Sequence, residues 1–209
     1  MSSKFLSLNQ EKQERILNAA LKEFAQKGYE NASTNEIVKS AEISKGLLFH
    51  YFNNKKELYL FLYNHFVEVL MEEFFNELDF SERDIFERLK SLMILKSKLM
   101  IRHPEVFDFM MSASMEASEE VKEAMNSTNT ELMEASYGRL FENIDLTKFQ
   151  EGMDIQRTIN IIMWTLKGFS NQEQEKAKKL HKGLHDFNDA FKEAEVYIDM
   201  LRKSFYKNQ

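Results

Sequence analysis

Helix-breaking residues are scarce in this chain, and their scarcity restricts the fold more than any other sequence feature. Only one proline and six glycines occur among 209 residues. Proline interrupts a helix and glycine weakens it, so long segments without either favour helices joined by short turns. No segment shows the strict alternation of polar and apolar residues that indicates a strand. The sequence therefore predicts an all-α fold.

Apolar residues recur along the chain at the spacing of one helical face. Gly28 marks the end of the first long helix, and Pro104 stands where a later helix can begin, since its missing N–H costs nothing there. The pattern predicts about nine helices. They cover residues 10–27, 34–41, 45–52, 55–78, 82–102, 104–113, 116–143, 154–181 and 185–207.

The composition excludes several classes of protein. There is no cysteine, which rules out disulfides, thiolate metal sites and a cysteine nucleophile. No apolar run approaches the ~18 residues that cross a bilayer. Residues 1–8 lack the apolar core of a signal peptide. We therefore expect a cytoplasmic protein that makes no contact with a membrane.

Charge is distributed unevenly between the N-terminal part and the rest of the chain. The formal net charge is −6, yet residues 1–56 hold nine Lys and Arg against six Glu, a net charge of +3. The remaining residues therefore carry −9. Phosphate attracts the first part and repels the second, a distribution that favours DNA binding through the N-terminal residues.

Residues 33–52 have the pattern of two short helices joined by a three-residue turn, the helix-turn-helix arrangement. Ser33 to Glu36 reads as a capping box, with Ser33 as the N-cap and Glu36 reaching back to it. Ser44 can cap the second helix. The pattern therefore predicts where both helices begin.

The second of these helices divides into an inner and an outer face. Leu48 and Phe52 are four residues apart and are predicted to face inward. Exposed aromatic side chains on a short helix are otherwise hard to explain, so the outer residues are predicted to contact a partner in the major groove. These outward residues are Lys45, Gly46, Leu47, Phe49 and Tyr51.

Together, Gly28-Tyr29, residues 33–41 and residues 44–58 resemble the DNA-binding domain of the tetracycline-repressor (TetR) family in order and spacing. The resemblance covers roughly residues 10–60, and the rest matches only in helical architecture and length. It implies a helix-turn-helix domain over 1–56 and a ligand-sensing and dimerisation domain over 57–209. It further implies a repressor that binds a double-stranded DNA operator as a homodimer, responds to a small effector and needs no cofactor.

The resemblance also implies roles for individual residues in DNA binding. Thr34 and Asn35 would meet backbone phosphate at a helix N-terminus, and Lys55 would pair with phosphate. Lys45 would reach a guanine edge or a phosphate. The other contacts would come from Gly46, Leu47, Phe49, His50 and Tyr51. Because Lys45 is the only Lys or Arg on the second helix, shape readout is expected to be large.

The last two helices carry apolar stripes, and the last one has the 4-3-4-3-4 spacing of a packing seam. We predict that both helices pack against their copies in a four-helix dimer interface. The alternative is that the stripes face the protein's own core. The predicted interface residues are Ile155, Ile159, Ile162, Met163, Leu166, Phe187, Phe191, Ile198, Leu201 and Phe205.

Methionine and aromatic residues are plentiful between the DNA-binding segment and these helices. Methionine adapts to varied apolar ligands, so the group predicts a pocket for a small, largely apolar effector, although an ordinary core is the alternative. The predicted pocket residues are Met93, Met100, Phe107, Met110, Met111, Tyr137, Phe141 and Trp164.

Two other classes of function explain less of the sequence. A helical carrier of an apolar molecule that does not bind DNA would explain the methionines but not the outward aromatic residues beside Lys45. An enzyme is disfavoured because no nucleophile, metal or acid–base group converges. His181, His185 and Asp189 have the spacing of metal ligands on one helix, but Gly183 interrupts it, and a solvated polar face is the better interpretation.

Overall fold

The computed structural model describes residues 3–180 and 188–207, and in these residues the chain is all-helical, as predicted. Nine of the helices have seven or more residues. A 3-10 turn, Leu146–Lys148, precedes α9. The α-helices are α1 (Ser3–Leu6), α2 (Gln10–Asn31), α3 (Thr34–Ser40), α4 (Lys45–Phe52), α5 (Lys55–Glu77), α6 (Ile85–Arg102), α7 (Pro104–Ser114), α8 (Glu119–Leu140), α9 (Ile155–Leu180) and α10 (Asn188–Phe205).

Two features depart from the sequence prediction. The short helix α1 was not predicted, and the only pairing of strand type in the described residues is an isolated bridge between Phe149 and Tyr206. No helix in the described part is long and apolar enough to cross a membrane. The chain's contacts divide it into two units, residues 1–73 with 103–133 and residues 74–102 with 134–209. The predicted boundary at residue 56 remains a prediction about function.

The first unit is built around the apolar face of α2. Its side chains Ile16, Ala20 and Phe24 have no exposed surface. Asn9 caps the helix by accepting a hydrogen bond from the Lys12 N–H at 3.0 Å. The helical geometry breaks at Gly28, where φ is +69°, but this is a kink: α2 continues to Asn31, so the prediction that the helix ends at residue 27 is wrong. Glycine adopts this conformation without a steric penalty, which lets the chain turn towards α3.

The unpredicted helix α1 is held by an aromatic side chain. Phe5 is fully buried, and its ring lies 4.9 Å from that of Phe52 and 5.3 Å from that of Phe61. Burial of one phenylalanine side chain stabilises a fold by roughly 1.5–3 kcal/mol, so Phe5 is the main anchor of this short helix. Helix α1 therefore covers the end of α4.

The second unit contains a buried arginine that binds main-chain carbonyls. Arg88 has no exposed surface, and its guanidinium donates to the carbonyl oxygens of Leu140 at 2.6 Å and Glu142 at 2.9 Å. It also donates to the carbonyls of Glu82 at 2.9 Å and Phe80 at 3.2 Å. These bonds satisfy the buried charge and join the loop before α6 to the end of α8.

Asp84 joins α10 to the start of α6 in the same unit. Its carboxylate accepts from Lys148 at 2.9 Å, from Arg202 at 3.2 Å and from the Tyr206 hydroxyl at 3.2 Å. The Phe86 N–H donates to it at 3.0 Å, so Asp84 also caps α6. Burial opposes ionisation of this carboxyl, but the donors together lower the pKa of Asp84 below its usual value.

Candidate nucleic-acid interface

Helices α3 and α4 and the turn between them form the predicted helix-turn-helix. The Ile43 N–H donates to the Val38 carbonyl at 3.0 Å across the turn, and Glu42 adopts a left-handed φ of +53°. The Ser44 side chain accepts from the Leu47 N–H at 3.2 Å, which confirms Ser44 as the cap of α4. These local bonds fix where α4 begins.

The start of α3 differs from the predicted capping box. Ser33 occupies the N-cap position, but its side chain makes no capping hydrogen bond. Its N–H donates to the Glu23 carboxylate at 2.9 Å, so Glu36 does not reach back as predicted. Glu23 is buried and also contacts Lys27 at 2.9 Å. Burial opposes its ionisation, but the Ser33 N–H and Lys27 lower the pKa of Glu23 overall.

Helix α4 presents one face to the core and one to solvent. Leu48 and Phe52 are buried, which confirms the predicted inner face. The prediction that Tyr51 points outward is wrong: only 8% of its surface is exposed. Its ring lies 6.1 Å from that of Phe5 on α1, a helix that the sequence analysis missed. Tyr51 thus packs between α4 and α1.

The remaining predicted contact residues of α4 lie at the surface. Lys45, Gly46 and His50 are exposed, and Leu47 and Phe49 are half-buried. The Lys45 ammonium lies 5.9 Å from the centre of the Phe49 ring. A side chain added at Gly46 would meet no atom within 4 Å, so the backbone of α4 is open to a partner there. On α3, Thr34 is half-buried and Asn35 is exposed.

Lys55, predicted to pair with phosphate, has partners within the protein. Its ammonium donates to the carbonyl of Glu30 at 3.0 Å and of Ala32 at 3.3 Å. It also lies 4.8 Å from the centre of the Tyr29 ring. An ammonium has three N–H donors, so at most one remains for a phosphate. Lys55 therefore positions the end of α2 and the residue that follows it, a role that was not predicted.

The predicted dimer stripes lie only partly at the surface of the second unit. Ile162 and Ile198 have no exposed surface, so the prediction that they form an interface is wrong for these two residues. Half-buried positions are Ile155, Ile159, Met163, Leu166, Phe191, Leu201 and Phe205, and Phe187 lies outside the described residues.

Other apolar side chains on the same two helices are strongly exposed. On α9 these are Ile161 at 43% and Trp164 at 70%, and on α10 they are Val196 at 51% and Met200 at 59%. Each pair is three or four residues apart, so each shares one side of its helix. We call these four residues the α9–α10 surface. The sequence pattern identified the helices, but the described residues that it selected as the interface are buried or half-buried, and it did not select these four.

The predicted pocket residues belong to both units. Met93, Met100, Phe107, Met110, Met111 and Phe141 are half-buried, and the side chain of Tyr137 lies outside the described residues. The placement of Trp164 in a pocket is wrong for this structure because its side chain belongs to the exposed α9–α10 surface. In the described part, no three His, Asp or Glu side chains are gathered as metal ligands, and His181 and His185 fall outside it.

The N-terminal helices are similar in sequence to those of known regulatory proteins. Residues 16–62 match the family model described as bacterial regulatory proteins of the tetR family. The uncharacterized HTH-type transcriptional regulator YuxN of Bacillus subtilis is 45% identical over 58 residues, which are 28% of this chain and 20% of YuxN. This chain thus matches a fifth of that relative's length.

Two further comparisons extend over most of the chain. The fatty acid metabolism regulator protein of Bacillus subtilis is 22% identical over 153 residues, covering 73% of this chain and 78% of that protein. The solved structure of SmeT, the repressor of the Stenotrophomonas maltophilia multidrug efflux pump SmeDEF, superposes with a TM-score of 0.63 at 18% identity. That match covers 98% of this chain and 93% of SmeT, and it shows a shared fold.

Proposed function

We propose that this chain is a transcriptional regulator of the tetR family of bacterial regulatory proteins and that it represses transcription from a double-stranded DNA operator. The observation that carries the proposal is the exposed side of α4, where Lys45, Gly46 and His50 lie at the surface. Regulators with this family's fold are not enzymes. Because its proposed target is DNA, we expect the protein in the cytoplasm.

The physical case for DNA binding rests on the shape and charge of α4. A short helix with a glycine near its start can bring its backbone close to base edges in the major groove. Lys45 adds a positive charge at that end, and half-buried Leu47 and Phe49 offer apolar contacts to thymine methyl groups and sugars. Thr34 and Asn35, at the start of α3, are proposed to contact phosphate through the helix N-terminus.

The test is selection from random duplexes, followed by titration of the enriched site over a range of salt concentrations. Lys45→Ala should lower affinity and relax the preference at one base position. Lys192→Ala, which removes an exposed lysine of α10, is the matched control and should bind as the parent does. Failure of the parent to enrich any duplex would reject the proposal and favour a carrier that does not bind DNA.

We further propose that the operator-binding form is a homodimer joined through the α9–α10 surface. Four large apolar side chains are exposed on these two helices, and exposed apolar surface is what a protein–protein contact buries. A helix-turn-helix protein that reads two half-sites needs two copies at fixed spacing. Sedimentation of the parent protein at micromolar concentration should give a mass of two chains, and a single-chain mass would reject this proposal.

The effector is proposed to be a small, largely apolar molecule that releases the protein from DNA. Half-buried Met93 and Met100 on α6 support this proposal, as does the resemblance to a regulator named for fatty acid metabolism. A ligand can shift the DNA equilibrium only by binding one state better than the other, and near-complete release needs roughly 5.5 kcal/mol of differential affinity.

Long-chain fatty acids are suitable probes, with a short-chain acid as the matched control. Binding should raise the melting temperature and lower the affinity for the enriched duplex in parallel. Tight binding that leaves DNA affinity unchanged would reject coupling between the two events. Since Trp164 is exposed on α9, its fluorescence is expected to report dimer formation and is not used to detect the ligand.

A further inference from the structure

Residues 28–33 run from the kink in α2 to the start of the helix-turn-helix. Helix α2 kinks at Gly28 and ends at Asn31, and α3 begins at Thr34. Between Gly28 and Thr34, the main chain is held by side chains that come from elsewhere in the sequence. The Ser33 N–H binds Glu23, and the Glu30 and Ala32 carbonyls bind Lys55. These contacts hold the main chain where it leads into α3.

Glu116, in the loop between α7 and α8, contributes another of these contacts. One oxygen of its carboxylate accepts a hydrogen bond from the Tyr29 N–H at 2.7 Å, although the residues are 87 positions apart. Its other oxygen accepts from the N–H groups of Ala117 and Ser118, each at 3.0 Å. The carboxylate is therefore fixed by its own loop and bridges that loop to the residue that follows Gly28.

Tyr29 is held by the same region through its side chain. Burial raises the pKa of its hydroxyl, and the nearby carboxylates of Glu120, in the first turn of α8, and of Glu116 raise the pKa of Tyr29 further. Nearby, the Ser112 hydroxyl on α7 donates to the Phe24 carbonyl on α2 at 3.3 Å. The end of α2 is thus tied to the junction of α7 and α8 at several points.

We propose that Glu116 is a positioning residue for DNA binding: through the Tyr29 N–H it fixes the start of α3, and with it the exposed face of α4. This inference rests on the proposed function, since it assigns a residue to the DNA-binding activity of α4. Glu116 itself lies outside the predicted DNA-binding residues. Its loss changes the fraction of molecules in the binding arrangement and leaves every phosphate-contacting side chain in place.

The test compares Glu116→Ala and Glu116→Gln with the control Glu119→Ala. Glu119 is the next acidic residue along the chain; it is exposed and pairs with Lys122 at 3.3 Å. Two quantities are measured in each protein: amide hydrogen exchange over residues 29–40, and affinity for the duplex enriched by the parent, as a function of salt.

We expect Glu116→Ala to speed Tyr29 amide exchange and weaken DNA binding by about tenfold or more, since a hydrogen bond to a charged group is lost. The slope of log affinity against log salt should stay unchanged, because no phosphate contact is removed. Glu116→Gln keeps one carbonyl acceptor and should fall between Glu116→Ala and the parent in both measurements. Glu119→Ala should match the parent.

Three results would overturn the proposal. Faster Tyr29 exchange with parental DNA affinity would mean that the bond only stabilises the loop. Unchanged exchange in Glu116→Ala would mean that the bond does not hold Tyr29. The third result is a parent protein that enriches no duplex while the exchange results are as expected. The proposed function and the role of Glu116 in DNA binding would then both be rejected, and only the hydrogen bond to Tyr29 would be supported. A Glu116→Ala protein that does not fold leaves Glu116→Gln to decide.

Discussion

Lys55 lies over the face of the Tyr29 ring, with its ammonium 4.8 Å from the ring centre. The same ammonium donates to two carbonyls of the segment that follows, so a single cation holds a side chain and the main chain of residues 29–32. The contact also joins the first residue of α5 to the segment that leads into α3. Lys55, which was predicted to contact DNA phosphate, therefore also stabilises the folded protein.

Replacing Lys55 by methionine should destabilise the protein while keeping the apolar stem over Tyr29. Two hydrogen bonds and a cation–π contact are lost, so we expect the free energy of unfolding to fall by about 1–3 kcal/mol. Urea denaturation at fixed protein concentration measures the change. Lys56→Met is the matched control and should cost less, because Lys56 makes none of these bonds. Equal stability of the two variants would contradict the positioning role.

Gly46→Ala should separate stability from DNA binding. An added methyl group meets open space, and alanine favours a helix over glycine, so the variant should gain about 0.5–1 kcal/mol of stability. Its affinity for the enriched duplex should nonetheless fall about tenfold, because the added methyl group keeps the α4 backbone away from base edges. A good contact to a base contributes about 1–3 kcal/mol. Gly138→Ala, an exposed glycine of α8, is the control for stabilisation without a change in DNA binding.

The sequence predicts features of this fold that depend on nearby residues. The break at Gly28, the cap at Ser44 and the inner face formed by Leu48 and Phe52 all follow from spacing within a few positions. The burial of Tyr51 does not, because it requires Phe5 to fold back onto α4 from 46 positions away along the printed sequence.

Long-range polar contacts could not be predicted from the sequence either. Glu116 is one of many glutamates on a helical, acidic chain, and only the fold brings it to the Tyr29 N–H. The spacing of apolar residues also does not show whether they pack inside their own unit or lie at the surface. On α10 it marked Ile198, which packs inside its own unit, and passed over Val196 and Met200, which are exposed.

The exposed apolar residues of α9 and α10 should be required for dimer formation and not for folding. Trp164→Glu changes a side chain that is 70% exposed, so we expect a helical protein that sediments as a monomer. Ile198→Glu places a charge at a site with no exposed surface and should unfold the unit, because burying an unpaired charge costs several kcal/mol. Circular dichroism and sedimentation distinguish the two; a Trp164→Glu dimer would place the interface elsewhere.

Stability in acid should depend on Asp84. The pKa of this carboxyl is lower in the folded protein than in the unfolded chain, so ionised Asp84 stabilises the fold above the unfolded pKa. That contribution disappears as the pH falls through about 4 towards the folded pKa. We expect the urea midpoint of the parent to drop between about pH 5 and pH 3 more than that of Asp84→Asn.

Asp199→Asn is the control for this pH dependence. Asp199 pairs with Lys90 at 2.7 Å, which lowers the pKa of Asp199, but half of its side-chain surface is exposed. Solvent screens such a pair, so its removal should change the acid dependence little. A parent and an Asp84→Asn variant with parallel pH profiles would show that the buried carboxylate does not contribute as described.

Two buried tyrosines should respond in opposite directions to the loss of a hydroxyl group. The Tyr59 hydroxyl is buried with no hydrogen-bond partner among the described residues, whereas the Tyr206 hydroxyl donates to Asp84 and accepts from the Ile85 N–H at 3.3 Å. An unpartnered buried hydroxyl costs about 1–3 kcal/mol, so Tyr59→Phe should raise the free energy of unfolding by about 1 kcal/mol. Its ring contacts, at 4.9 Å from Phe24 and 5.4 Å from Phe109, are kept.

Tyr206→Phe leaves a buried N–H without its acceptor and should lower stability by about 1–3 kcal/mol. Urea denaturation of both variants measures the difference, and a Tyr59→Phe protein less stable than the parent would show that the hydroxyl has a partner in solution, such as a bound water.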